Sequence, residues 1–441
     1  MKARHLPAAA AIVAAAAGGC SLAPHYERPS TQPPPATYKE AGDWKVSSPS
    51  DTSARGRWWT TFGDSDLDAL EAEVTHANQT LKSALASLEQ ARAQTRITRS
   101  EWFPTLTAQA SATRGELSAY APGYTPGKTR TGNSFVLSGD LSYEIDVFGR
   151  VRNTVANARA NEQATSGDVA ALDLSVHAEL ATDYFMLRGL DIEQRFLDQT
   201  VADYARALQL TQNLFKGGAA AIADVQQAQA QLELARTQAE DTRLHRAQTE
   251  HAIDTGLPSQ LLERRPDVAA ANANIGVARA AYFPVFDLMA QAGLQSTTAA
   301  NWLTAPAQFW SIGPQALLTI FDGGLHRAQS AAAHAVYDEQ VANYRNTVLI
   351  AYQDVEDNLA ALRQLHRESI SQAAAVTATQ GAADQANLRY KGGIVTYLEV
   401  VATQNAALSA RLTAVDIDIR RATATVQLVK ALGGDWNAPP Q

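Results

Sequence analysis

The 441-residue chain has a single cysteine, Cys20, which excludes an internal disulfide and any cysteine-rich metal site. It has no run of ~18 apolar residues, so no segment can cross a bilayer as a helix; a β-barrel wall needs no such run. Aromatic residues are sparse, at 7%. The 37 basic residues are outnumbered by 45 acidic ones, and the net charge of -8 gives a nucleic-acid partner no electrostatic support. Catalytic patterns are also missing. There is no HExxH, and His245 and His251 do not share a helix face. Lys216-Gly217-Gly218 lacks the phosphate-loop pattern, and Asp354, Glu356 and Asp357 read as a solvated helix face. Nothing suggests paired catalytic carboxylates, a nucleophile triad, a cofactor or a metal. What abounds is alanine, roughly a fifth of the chain. The best helix former and one of the smallest, it suits long helices packed closely side by side.

The N-terminus has the layout of a secretory signal over residues 1–19: charge at Lys2 and Arg4, a short apolar stretch from Ala8 to Ala17, then small residues. Cys20 stands where a bacterial lipoprotein signal places its acylated cysteine, and Ser21 resembles the residue found in lipoproteins sorted to the outer membrane. Residues 20–56 are rich in Pro, Ser and Thr and read as an extended, lipid-anchored segment.

The rest is a duplication. Phe215-Lys216-Gly217-Gly218 recurs 175 residues later as Tyr390-Lys391-Gly392-Gly393, and Asp224-Val225 falls on Glu399-Val400. Upstream, Trp102-Phe103-Pro104 recurs as Tyr282-Phe283-Pro284. The repeats span 57–255 and 256–436, with 437–441 as a tail. Each begins with an Ala-rich helix, about 65–101 and about 266–281, that should stop before Phe-Pro. Period-two alternation follows from Thr105 to Ala112 and from Phe135 to Ile145, then from Phe286 to Leu294 and from Trp310 to Ile320, with Pro314 a blemish. Four strands of about ten residues have the length to cross a bilayer with tilt. Four cannot close a barrel, and open edges are not tolerated in lipid, so the chain must pool strands with copies of itself. Three copies would give twelve.

After each strand pair comes an unbroken helical pattern, about 150–215 and about 325–390, or ~100 Å each at 1.5 Å per residue. Leu197, Val201, Tyr204 and Leu208 keep heptad spacing, as do Val341, Tyr344, Val348 and Val355. Lys-Gly-Gly stops each helix, and the chain returns over about 222–251 and about 397–431. The expected fold is mainly α with a membrane β part: long helical hairpins plus four strands per protomer. A lipid-anchored periplasmic coiled-coil scaffold without a channel is the alternative, but it has no need for bilayer-length strands in matched pairs.

Specific motifs accompany this plan. Trp58-Trp59 with Phe62-Gly63-Asp64, Tyr143 to Arg150 (YEIDVFGR), Gly256 to Asp267 (GLPSQLLERRPD), Ile275 to Pro284 (IGVARAAYFP), Phe321 to Gly324 (FDGG) and Ala431 to Trp436 (ALGGDW) resemble those of the TolC-type outer-membrane efflux proteins, in particular the OprM/NodT-like lipoprotein branch. The resemblance covers about residues 20–436. It implies a homotrimer in the outer membrane of a Gram-negative bacterium, with a twelve-stranded β-barrel and an α-barrel reaching into the periplasm. Such a duct exports small molecules passively, taken from a periplasmic adaptor and an inner-membrane pump of the RND type. It implies no enzyme activity and no cofactor beyond the lipid on Cys20. The segments before Gly256 and after Asp267 are shorter than the family's pattern. By the same resemblance, Glu399 matches the acidic constriction ring of the periplasmic mouth, and Asp224 with Tyr390 matches the pair that ties the closed mouth. A ring of like carboxylates selects by charge. Asp224 and Glu399 also sit where a carboxylate favours a helix start.

Overall fold

The computed structural model describes residues 30, 57–116, 118, 120, 131–255 and 267–433. The signal 1–19, Cys20 and nearly all of the 20–56 segment lie outside the described residues, as do 256–266 of the Gly-Leu-Pro-Ser signature and the 437–441 tail. A 3-10 turn at Trp58–Phe62 precedes α1 (Ser65–Ala77) and α2 (Gln79–Arg99). Strands β1 (Thr105–Glu116) and β2 (Thr131–Ile145) lead to α3 (Arg150–Lys216) and α4 (Ile222–Thr255). The order then repeats with α5 (Asp267–Ala280), β3 (Val285–Ser296), β4 (Gln308–Leu317), α6 (Leu325–Lys391) and α7 (Tyr397–Ala431).

Strands β1 and β2 each extend four residues beyond the predicted alternation, to Glu116 and from Thr131, and two further boundaries depart from the sequence reading. The helix expected over 65–101 is broken at Asn78, whose ψ of 119° leaves the helical region. Its own N–H still closes α1 on Val74 O at 3.0 Å, while its Oδ1 accepts the Leu81 N–H at 2.9 Å and opens α2. One buried asparagine thus ends one helix and caps the next. Strand β4 stops at Leu317 instead of Ile320, because its partner β3 begins at Val285, just after Pro284, and leaves nothing further to pair with. Within the chain β4 is the edge strand, so Pro314, placed opposite Leu288, leaves the β1–β2 and β2–β3 ladders untouched.

The chain divides into two compact units. One comprises, of the described residues, 30, 87–116, 118, 120, 131–166 and 267–344, and contains the sheet. This is a four-stranded antiparallel meander in the order β1-β2-β3-β4, so among the described residues β1 and β4 each have a free edge. Both strand-to-helix junctions are capped by an aspartate. Asp146 accepts the Val151 and Arg152 N–H groups at 3.1 and 3.0 Å, and Asp322 those of Gly324 and His326 at 2.8 and 2.9 Å. These backbone bonds hold the Asp322 carboxyl below its usual range. At the first junction, Arg150 forks onto Glu144 at 2.7 and 2.6 Å and reaches Glu101 at 3.2 Å.

The other unit holds, of the described residues, 57–86, 167–255 and 345–433. Its packing shows why alanine is so frequent: Ala178, Ala181, Ala228 and Ala386 are almost completely buried where helices meet. The Trp58-Trp59 box packs with Leu67 on Ala178, Ala181 and Tyr184 of α3 and Val426 of α7. Asp64 caps α1 through the Asp66 and Leu67 N–H groups and accepts the Tyr184 hydroxyl at 2.7 Å. Beneath the box, fully buried Glu71 accepts a hydrogen bond from His177 Nδ1, and Trp59 stacks on the imidazole with ring centroids 4.5 Å apart.

Candidate functional site: the hairpin turns and the polar face of the sheet

The two long helices end in the same way. In the first turn Gly217, Gly218 and Ala219 N–H groups return to Asn213, Phe215 and Leu214 carbonyls at 3.0, 3.0 and 2.8 Å. In the second, Gly392, Gly393 and Ile394 return to Leu388, Tyr390 and Arg389 at 3.1, 2.9 and 2.9 Å. Gly218 and Gly393 take φ values of 75° and 72°, the left-handed conformation that stops a helix and that glycine adopts without strain.

The acidic residues after the two turns are used differently. Asp224, in the first turn of α4, folds back and accepts the Ala221 N–H at 3.1 Å, satisfying a backbone donor of its own helix start. Glu399 occupies the matching place in α7. Thr396-Tyr397-Leu398-Glu399 has the spacing of a capping box, yet Thr396 makes no side-chain cap. Glu399 instead crosses the turn and accepts from Arg389 at 2.8 Å; both side chains are about half exposed, at 42% and 50%.

On the inner side of the same turn, Tyr390 and Tyr397 lie with ring centroids 5.4 Å apart. Tyr397 is 1% exposed, and burial pushes its hydroxyl up to about 12. A cavity of about 470 Å³ opens beside them between α3, α6 and α7, bordered by Asp203, Tyr204, Asp384 and Arg411. The Tyr390 and Tyr397 hydroxyls and Gln404 Oε1, all on this cavity, are buried without a hydrogen-bond partner among the described residues. Tyr390 and Asp224 are therefore not bonded to one another here. Arg389 and Tyr397 escaped the sequence reading. The repeat offset of 175 carried a signal for both: their counterparts in the first half are Leu214 and Ile222, so only the second hairpin has the basic residue and the buried ring.

The sheet has two chemically distinct faces, fixed by register. Thr107, Asp140, Gln291 and Ser311 lie in line across the four strands, as do Thr105 and Ser142, and Glu144 and Asp287. On the other face lie Leu106 with Leu141 and Ala290 with Ile312, then Ala110, Leu137, Leu294 and Trp310. Alternation of this kind places polar groups on one side and apolar ones on the other. On the polar face Asp140 accepts from Ser138 at 3.1 Å and from Gln291 at 2.5 Å. Among the described residues no helix is long and apolar enough to cross a membrane, and no three metal-binding side chains cluster.

Comparison with known proteins accounts for this combination. The family model "Outer membrane efflux protein" matches twice, over residues 72–257 and 257–434. The chain is 30% identical to the outer membrane protein OprJ of Pseudomonas aeruginosa, covering 97% of this chain and 95% of OprJ. It is 28% identical to the cation efflux system protein CusC of Escherichia coli K12, covering 96% and 98%. Its fold matches the Campylobacter jejuni CmeC outer membrane channel with a TM-score of 0.88, at 24% identity and over 96% of each chain. An amphipathic four-stranded sheet, two long helical hairpins and a family model matched in both halves lead to one conclusion: the chain belongs to the outer membrane efflux protein family, whose members are channels of efflux systems.

Proposed function

We propose that this chain is one subunit of a homotrimeric duct through which small molecules leave the cell, received from an inner-membrane pump of the RND type through a periplasmic adaptor. The observation that carries this reading is the sheet: four bilayer-length strands, one polar and one apolar face, and two free edges. Strand β4 of one copy pairs with β1 of the next, and their directions alternate correctly for an antiparallel seam. Three sheets close a twelve-stranded barrel, apolar face to lipid and polar face to water. The duct makes and breaks no covalent bond and needs no cofactor. Cys20 carries the lipid that anchors the N-terminus to the outer membrane. Glu399 forms the constriction ring at the periplasmic mouth, and Asp224 and Tyr390 latch the mouth when it shuts.

The test is electrophoretic migration of outer-membrane extract before and after heating. A trimer-sized band that collapses to monomer on boiling is expected. A monomer confined to the soluble fraction refutes the duct and leaves the lipid-anchored scaffold.

A further inference from the structure

We infer that Arg389 is a second specificity-determining residue of the mouth: it is the counter-charge that makes the Glu399 ring electrically neutral. The inference rests on the proposed ring and deepens it.

Three observations converge. Glu399 gives up the capping position that its place in α7 offers and reaches across the turn to Arg389 at 2.8 Å. Arg389 lies one residue before Tyr390 and two before the Lys391-Gly392 turn, so it travels with Glu399 on the same hairpin tip. The first hairpin has Leu214 there, and its Asp224 is spent on its own backbone. The duplicated tips have thus diverged in charge as well as in packing.

An ion pair this exposed contributes ~0–1 kcal/mol, too little to lock the hairpin. Its effect is on the field. Three bare carboxylates at a constriction attract cations and repel anions, whereas three carboxylate–guanidinium pairs present dipoles with no net charge. A neutral ring passes solutes of either sign, and the duct becomes cation-preferring only where Glu399 is released from Arg389.

The readout is the K⁺/Cl⁻ permeability ratio of the purified full-length protein in planar bilayers under a KCl gradient. Trimer migration checks that each variant assembles. Arg389→Gln is expected to raise the ratio about twofold or more, Glu399→Gln to lower it, and the double variant to return close to the unsubstituted channel. If Glu399→Gln shifts the ratio and Arg389→Gln does not, the counter-charge role is overturned and the ring stands. If neither moves it, the ring itself fails and the inference with it. A double variant that keeps the shift of either single also overturns neutralisation.

Discussion

At the scale of single residues, the most demanding environment is that of Glu71 and His177. Both are buried, the carboxylate completely, and Trp59 covers the imidazole. Burial alone pushes His177 down, but hydrogen bonds with Asp173 and Glu71 outweigh it and raise the imidazole to about 9. Burial pushes the Glu71 carboxyl up, partly countered by His177. A buried pair of this kind adds little over an apolar substitute, yet losing one partner strands the other. His177→Ala is expected to lose about 3–5 kcal/mol, read as a fall in thermal midpoint of the detergent-solubilised protein. The raised imidazole also sets a sign. Its contribution is in full force below the unfolded histidine pKa of ~6.5 and is lost as pH rises from there through about 9. Comparing melting at pH 7 and pH 10 should show a drop that His177→Gln flattens; an equal drop in both would place the alkaline loss elsewhere.

At the scale of elements, close packing between helices depends on what is absent from the contact. A Cβ on Gly189 of α3 would come within 2.2 Å of Ile419 Cδ1 on α7. Gly189→Ala should therefore destabilise by about 1–3 kcal/mol, as overpacking does. Ile419→Ala, which removes both that Cδ1 and the Cγ1 that lies at 2.4 Å, should relieve the clash, so the double variant should lose less than the sum of the two singles; failure of the pair to couple in a double-mutant cycle would show that the Ile419 side chain does not set the cost of Gly189→Ala. Much at this scale was legible in the sequence. Lys-Gly-Gly marks both hairpin turns because an abrupt helix end needs a left-handed residue, and Phe-Pro marks both strand starts because proline restricts the residue before it. The break at Asn78 was not, since the helical pattern runs on either side of it without Gly or Pro, and a lone asparagine, although it favours caps, is too weak a stop signal by itself. The site was legible only in part. Asp224 and Glu399 look equivalent after the duplication, and Glu399 differs in use because it has Arg389 to pair with where the first half has Leu214.

At the scale of the whole molecule, the faces of the sheet decide where a charge can be placed. Gln109 and Ala110 are neighbours in the middle of β1, opposite Ser138 and Leu137, and so face opposite sides. Ala110→Arg puts a cation on the lipid side, where ~2–4 kcal/mol is expected near the bilayer midplane, and should abolish the heat-resistant trimer. Gln109→Arg faces water and should leave the trimer intact. Equal tolerance at both positions, scored on the same gel, would argue against a membrane wall.

The free edges of β1 and β4 have a genetic consequence. In the proposed trimer each seam joins unlike surfaces, head to tail, so the ring closes only when every member offers both. A subunit with a sound β1 and a ruined β4 still enters the ring and then leaves it open. If half the subunits in a cell carry such a lesion, about one trimer in eight is built wholly from intact ones. Lesions in a single edge strand should therefore be dominant over the normal copy, while lesions that unfold the chain should be recessive.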